Sequence, residues 1–396
     1  MADTFYFSRD TKVFLADNGN TSLAWELPVL DGFSFSQATN TSEITLNEMT
    51  DSAGKSRRSR QMFTDSYAPA EWSFSTYMRP FGAVPATATT VWEPHASISG
   101  NPQHAVEEAL WAYFVGHTGF TVGSATGSGT ASVWNGTGGI TNTDTNMVVD
   151  FRQSEVAALG TFDLYFEMGS ASAGTNLTYK IEGCVVNSAS IDFDIDGIAT
   201  INWSGMGKII TESGADKPSF TNLISEGTTT TSNFIRNRLT SLTATGADSG
   251  LFNASYDLVL TGGNITFENN ITFLTPETLG IVNQPLGNVT GTRSVGGNFT
   301  CYLNNDTAMS AELFEDIIES DSVITNDFDL TFNIGGGSSP KVAIQMPNCH
   351  LEVPTHSMED IISLDVNFHA LPANIDPGST AGSYEATITY TGNDLA

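Results

Sequence analysis

Basic residues are scarce in this sequence. Of its 396 residues, 15 are Lys or Arg against 44 Asp or Glu, a formal net charge of −29. A nucleic-acid binder needs a basic footprint to neutralise phosphates, and an anionic membrane surface asks for the same, so this balance excludes both as binding partners. An acidic background of the halophilic kind is the plain alternative explanation for the charge. Cysteine is scarcer still: Cys184, Cys301 and Cys349 form no framework of pairs, which fits a reducing compartment. No apolar run approaches the roughly 18 residues needed to cross a bilayer. The start, Met1-Ala2-Asp3-Thr4-Phe5, lacks the basic and apolar segments of a signal peptide, so secretion is not expected and triplets such as Asn176-Leu177-Thr178 read as strand and turn composition.

Signatures of catalysis are missing too. There is no Gly-Lys-Ser/Thr phosphate loop, no Gly-x-Ser-x-Gly elbow and no His-Glu-x-x-His pair. Asp192-Phe193-Asp194-Ile195-Asp196-Gly197 opens like a calcium loop, but its twelfth position is Trp203 where a bidentate Glu is required. Alternation explains these residues better: Asp192, Asp194 and Asp196 share one strand face, while Ile191, Phe193 and Ile195 share the other. Cys349-His350 and His356 have no second ligand pair at metal-binding spacing. No catalytic, cofactor-binding or metal-ligating residue is therefore expected. Carboxylate pairs would permit a carbohydrate-active enzyme on a jelly-roll scaffold, yet no spacing singles one out.

What is present occurs twice. Phe162-Asp163-Leu164-Tyr165-Phe166-Glu167-Met168-Gly169 returns as Phe328-Asp329-Leu330-Thr331-Phe332-Asn333-Ile334-Gly335, with five of the eight positions identical. The period of two predicts a half-buried strand. Cys184 is answered by Cys349, and at the same spacing Ile201-Asn202-Trp203 is answered by Val366-Asn367-Phe368. Upstream, Phe74-Ser75-Thr76-Tyr77-Met78 resembles Phe299-Thr300-Cys301-Tyr302-Leu303. The helical pattern over 103–115, with Glu107 and Glu108 opposite its apolar face, is matched by one over 310–319. These matches predict an internal duplication. The domains expected are 1–214 and 215–396, each strands, one helix, then strands, with a linker over 215–250. With hydrophobic residues at 40% and aromatics at 10%, each half can bury a core. The fold class is mainly β: a β-sandwich or barrel with one flanking α-helix per domain.

The first copy carries extra segments. Residues 36–66 form a long polar arm, expected to be partly an extended hairpin, and 117–155 a Gly/Ser/Thr-rich insertion with the composition of a surface loop. The arm's tip, Lys55-Ser56-Arg57-Arg58-Ser59-Arg60, concentrates four of the fifteen basic residues. In so acidic a chain, Lys55, Arg57, Arg58 and Arg60 suit docking onto an acidic surface of another copy. Phe5-Tyr6-Phe7 and Val13-Phe14-Leu15 suggest an opening hairpin, Asp31-Gly32 a turn, and Tyr384 to Tyr390 a last strand suited to a neighbour's sheet.

The stretch Leu27-Pro28-Val29-Leu30-Asp31-Gly32-Phe33-Ser34-Phe35, the arm with Ile44-Thr45-Leu46, and Trp72-Ser73-Phe74 resemble the start of major tail tube proteins of long-tailed bacteriophages. Asn233 to Leu239 and Tyr256 to Gly263 are similar to later segments of such proteins. The resemblance implies two tandem tail-tube-like domains in a structural virion protein. Copies would close into rings, the rings would stack into a tube, and DNA would pass through the lumen without specific binding. It also implies contacts with a tape measure protein, a tail terminator and baseplate or tail-tip proteins, with assembly in the host cytoplasm and no membrane. The arm residues would then serve ring-to-ring contact, and Asp192, Asp194, Asp196 and Glu359 an acidic row facing the lumen. Two tandem domains make a trimer with pseudo-sixfold symmetry or, alternatively, a hexamer with one copy turned outward. The alternative from another class is a surface β-sandwich adhesin or pilin-like structural protein.

Overall fold

Alternation of apolar and polar residues builds most of this chain, and the pairing of its strands shows how the two halves correspond. A computed structural model describes residues 5–18, 23–44, 60–85, 92–94, 103–120, 134–135, 139–143, 145–151, 159–169, 176–214, 220, 222–224, 234–246, 255–279, 281–319, 328–358, 360–373 and 384–392. In the first half the principal elements are β1 (Lys12–Asp17), β2 (Leu23–Leu27), β3 (Ser34–Ile44), β4 (Gln61–Tyr77), α1 (Glu108–Phe114), β5 (Ile140–Asn142), β6 (Asn146–Asp150), β7 (Phe162–Met168), β8 (Leu177–Asp194), β9 (Thr200–Gly207) and β10 (Ile209–Gly214). In the second they are β11 (Ser241–Gly246), β12 (Tyr256–Leu258), β13 (Leu260–Glu268), β14 (Ser294–Tyr302), α2 (Ser310–Glu319), β15 (Phe328–Ile334), β16 (Lys341–Leu351), β17 (Thr355–Ser357), β18 (Ser363–Ala370) and β19 (Thr387–Thr391).

Each half is a two-layered sandwich threaded by one long strand. In the first, the start of β8 pairs with β7 and β10, and its end pairs with β9. In the second, the start of β16 pairs with β15 and β19, and its end pairs with β18. The repeat extends to local irregularities. Phe162 faces Cys184 before a bulge that brings Leu164 opposite Ile181; Phe328 faces Cys349 before a bulge that brings Leu330 opposite Met346. The Cys184 thiol points at the Ile181 carbonyl at 3.4 Å, and the Cys349 thiol at that of Met346 at 3.5 Å. Lys180 Nζ sits 2.9 Å from Asp163, where the second half has Gln345 donating to Asp329 at 2.8 Å.

One match needs correcting. Phe74 faces Trp203 and Phe299 faces Val366, so the counterpart of Trp203 is Val366 rather than Phe368. A slip of two residues preserves which face each side chain takes, so alternation alone could not reveal it. Other expectations shift as well. β15 alternates buried and half-buried, but β7 is buried almost throughout, because Tyr165 on its outer face packs on Phe220 at 5.7 Å. No opening hairpin forms: residues 8–10 make a single 3-10 turn, and β1 pairs with β2 and β7. Gly32 does supply the turn before β3, with φ of +98°. The insertion is more than a loop, since β5 and β6 extend the second half's sheet through β19. That pairing places β19 between β6 and β16 of its own chain. Within the expected linker, Ser241–Gly246 is strand β11, paired with β15.

The helices differ in setting. α2 is amphipathic, with Leu313 and Ile317 buried and Ile318 exposed. All seven residues of α1 are buried, because strands from both halves wall it in. Trp111 meets Trp203 of the first half at 4.7 Å and Phe267 of the second at 5.4 Å, and its indole N–H donates to the Tyr390 hydroxyl at 2.9 Å. Glu107 and Glu108, expected on the solvent side, are buried by the same enclosure. Glu108 accepts hydrogen bonds from the Trp134 indole at 2.7 Å and the Asn142 amide at 3.2 Å, and pairs with His104 Nδ1 at 2.7 Å. Glu107 accepts from the Tyr390 hydroxyl at 2.5 Å, with the Arg79 guanidinium also acting on it.

Burial pushes the Glu107 carboxyl up from 4.5 to about 8, and the hydroxyl of Tyr390 and the charge of Arg79 offset only part of that. The folded protein therefore keeps a proton here that the unfolded chain releases above 4.5. Stability from this group is fully present below 4.5 and is lost as pH rises through about 8. In between the slope is ~1.4 kcal/mol per pH unit. Glu107→Gln keeps the acceptor for Tyr390 and removes the titration. Urea melts at pH 5 and pH 8 are expected to show a smaller loss of midpoint for the variant than for the parent; equal losses would mean that Glu107 does not titrate there.

Candidate assembly surfaces

The surface most distinctive in its chemistry is one face of a single sheet. The inner strands of the first half run β3-β4-β9-β8, and those of the second run β13-β14-β18, closed by the end of β16 and by β17. The antiparallel pairing of β8 with β13 joins them into one continuous sheet. Its inward positions supply the core: Trp72, Phe74, Trp203, Ile191, Phe299 and Phe368 are all buried. Its outward positions are mostly Ser, Thr, Asn and carboxylates, with Tyr77, Tyr302 and His369 among them. The inner strands, counting only the Val185–Asp194 part of β8 and the Cys349–Leu351 end of β16, carry no Lys or Arg, whereas Glu71, Asp192, Asp194, Glu268, Glu352 and Asp365 stand on the outward face.

A ladder of polar side chains crosses this face. Ser75 donates to the Asn202 carbonyl oxygen at 2.6 Å, and Asn202 donates to Asp192 Oδ2 at 3.0 Å. From the far side Asn264 donates to Asp192 Oδ1, and Thr266 to the Asn264 carbonyl oxygen at 2.7 Å. Asn264 lies opposite Asn298, and Asn298 opposite Asn367. Asn367 donates to Glu352 Oε2 at 2.9 Å, with His369 Nε2 3.2 Å from Oε1. These bonds hold the exposed Glu352 carboxyl below its ordinary range. The ladder had no one-dimensional signature. Its members are scattered over six strands and meet only once the registers are known.

The expected row is partly in this ladder. Asp192 is a member. Asp194 is on the same exposed face, at the end of β8, and accepts a hydrogen bond from the Ile195 N–H at 2.6 Å. Asp196 lies past the strand in a bend, 3.6 Å from Arg238. Glu359 falls outside the described residues.

The arm is a two-stranded extension of the same sheet. β3 and β4 pair from Ser34–Ser73 out to Ile44–Gln61, with Ile44, Met62 and Phe63 exposed near the tip. Lys55, Arg57 and Arg58 lie outside the described residues. Arg60 is at the base of the tip, 3.4 Å from Glu43 across the hairpin. A second arm, legible in the sequence only as a loop from Thr275 to Gly297, leaves the same end of the sheet between β13 and β14. It contains the short pair Thr272–Leu274 and Gly287–Val289 and leans on the first arm, where the Tyr67 N–H donates to the Asn283 carbonyl at 2.9 Å. Leu274, Leu279, Ile281 and Leu286 are exposed on it. At the opposite end, Ile195, Ile198, Leu239, Val259 and Tyr302 are exposed. Apolar patches rimmed by polar residues at both ends mark association surfaces.

Comparison with known proteins gives these surfaces a context. Residues 8–392 match the family model described as phage tail tube protein. A similar relative is the tail tube protein pb6 of Escherichia phage T5, 30% identical in an alignment of 387 positions that covers 93% of this chain and 73% of that protein.

Proposed function

Because the chain belongs to the phage tail tube protein family and is a structural component of the virion tail, we propose that its copies close into rings that stack into a tube for genome delivery. The observation that carries this reading is the continuous inner sheet, with a polar face free of Lys and Arg and an unpartnered strand at each edge among the described residues. Joining such edges around a ring removes them as sites of uncontrolled pairing. It also turns the outward face into the wall of a channel. Asp192, Asp194, Asp196 and Glu359 then present negative charge to the passing DNA, and phosphates slide past without being held.

The matched registers of the halves support two tandem tail-tube-like domains, 1–214 and 215–396. The unbroken pairing of β8 with β13 favours a ring of three chains with pseudo-sixfold symmetry, because both halves contribute to one sheet. A hexamer with one half turned outward would leave that shared sheet split between wall and exterior. Stacking is head-to-tail, a heterologous contact that propagates into a filament. The two arms of one ring meet the opposite end of the next, with Lys55, Arg57, Arg58 and Arg60 supplying charge complementary to its acidic surface. Tape measure, terminator and baseplate or tip proteins are the partners this tube would meet, after assembly in the host cytoplasm. The family points to a structural rather than an enzymatic role, and neither comparison favours a surface adhesin.

Negative-stain microscopy of the purified chain, with its solution mass, tests the proposal. Hollow rods or rings of three chains are expected. Six chains per ring would replace the trimer by the hexamer, and a monomer with no rods at any concentration or salt would overturn unaided self-assembly.

A further inference from the structure

The chain contains, folded within itself, a copy of the joint that would link it to its neighbour. Where the halves meet, β8 pairs with β13 so that Ser190 faces Thr266, Asp192 faces Asn264 and Phe193 faces Gly263. The duplication gives each side of this joint a counterpart at a free edge. On one side, Cys184 and Cys349 hold the same place in β8 and β16. Ser190 faces Asn202, and Thr355 faces Asp365, the counterpart of Asn202. Ser190, Asp192 and Phe193 therefore correspond to Thr355, Ser357 and Met358. On the other side, Ser34 faces Ser73, and Asn264 faces Asn298, the counterpart of Ser73. Gly263, Asn264 and Thr266 therefore correspond to Phe33, Ser34 and Ser36.

Both counterpart edges are open among the described residues: β3 has β4 as its strand partner, and β17 has β18. Exposure follows the same logic. Phe193 is 4% exposed beneath β13, whereas its counterpart Met358 is 74% exposed, and Val353 on the same edge is 61% exposed. The ring of Phe193 lies so close to Gly263 that a Cβ there would come within 2.6 Å of it. At the open edges the bulk is shared differently, a flexible Met358 facing Phe33.

We propose that the edge Thr355–Met358 of one copy adds, antiparallel, to Phe33–Ser36 at the start of β3 of the next, with Thr355 opposite Ser36, Ser357 opposite Ser34 and Met358 opposite Phe33. The seam between chains thus repeats the register of the seam within the chain, and the polar ladder continues from Asn367 and Glu352 towards Ser34 and Ser75 of the neighbour. This rests on the ring reading above and adds to it which residues meet.

Cysteine pairs in the full-length chain test the register. The native thiols do not compete: Cys184, Cys301 and Cys349 are buried, and burial pushes all three thiols up, that of Cys301 to about 12. Two in-register variants are Ser34→Cys with Ser357→Cys, and Ser36→Cys with Thr355→Cys. The slipped control is Ser36→Cys with Ser357→Cys. Directly opposed residues sit within disulfide reach and diagonal ones lie at its limit, so mild oxidation of assembled protein should link the in-register pairs roughly tenfold more than the control. The product is a ladder of covalent oligomers on a non-reducing gel. Rings seen by microscopy in which the slipped pair links best, or neither in-register pair links, would overturn the register and leave the ring reading standing. Absence of both rings and links in all variants would overturn both.

Discussion

Replacing Trp111 by alanine is expected to lower the unfolding free energy by about 3–5 kcal/mol, the range for emptying a fully buried aromatic site. Trp111 has no exposed surface, and its ring makes edge contacts with Phe114, Phe151, Trp203 and Phe267. Those neighbours come from both halves, so the cavity would open at their junction. Losing the ring also costs the Tyr390 hydroxyl its indole donor. Urea denaturation followed by tyrosine and tryptophan fluorescence checks this in two ways. The midpoint should fall, and a single transition should broaden or split as the halves lose their shared core. Trp111→Phe retains most of the packing and should lose roughly 1–2 kcal/mol, in line with a partly filled cavity and a missing hydrogen bond. A loss under about 1 kcal/mol for the alanine variant would mean that the site collapses without cost and that α1 does not weld the halves.

Reversing charge at Asp194 is expected to block genome transit while leaving tubes intact. Asp194 is the better probe than Asp192, because it is exposed and bonds only locally, to the Ile195 N–H, whereas Asp192 anchors Asn202 and Asn264 in the ladder. Asp194→Lys in every copy places a recurring ring of cations along the proposed lumen. Each such cation can hold a phosphate and release counterions, and because many act on one duplex, infectivity should fall on the order of a hundredfold or more. Ejection triggered in vitro should recover as salt is raised, since the attraction is screened. Asp192→Asn, which keeps hydrogen-bonding capacity and removes one charge, should assemble and eject nearly as the parent does. Tubes that fail to form with Asp194→Lys would make that residue structural instead.

Much of this architecture could be read before any coordinates. The repeated strand at Phe162 and Phe328 announced itself because side-chain period is a property of one strand alone. So did α2, whose Leu313 and Ile317 recur at helical spacing. Properties that belong to pairs of strands were harder. The two-residue slip that makes Val366 the counterpart of Trp203 conserves alternation and leaves no trace in a pattern of apolar and polar residues. Glu107 and Glu108 looked like a solvent face because carboxylates rarely enter a core; they did so here because Tyr390, Trp134 and Asn142, from distant parts of the chain, and His104 one turn away hydrogen-bond to them. Asn202, Asn264, Asn298 and Asn367 read as ordinary polar positions until pairing put them side by side. Ile140–Asp150 looked like loop because its flanks are rich in Gly, Ser and Thr, although Ile140, Met147 and Val149 turn inward against the sheet.

The two long strands have a mechanical consequence. β8 runs 18 residues and serves both layers of its sandwich, and β16 does the same in the other half. A conventional sandwich resists sliding of its layers by side-chain interdigitation alone. Here each pair of layers is also tied by an unbroken backbone, so relative sliding would have to tear a strand out of one ladder or the other. Such a panel is stiff in shear. Its compliance is left to the exposed hairpins at one end, which can tilt without disturbing the panel. A wall made of these units would bend at the gaps between courses, as masonry flexes in its joints, while the bore within each course keeps its diameter.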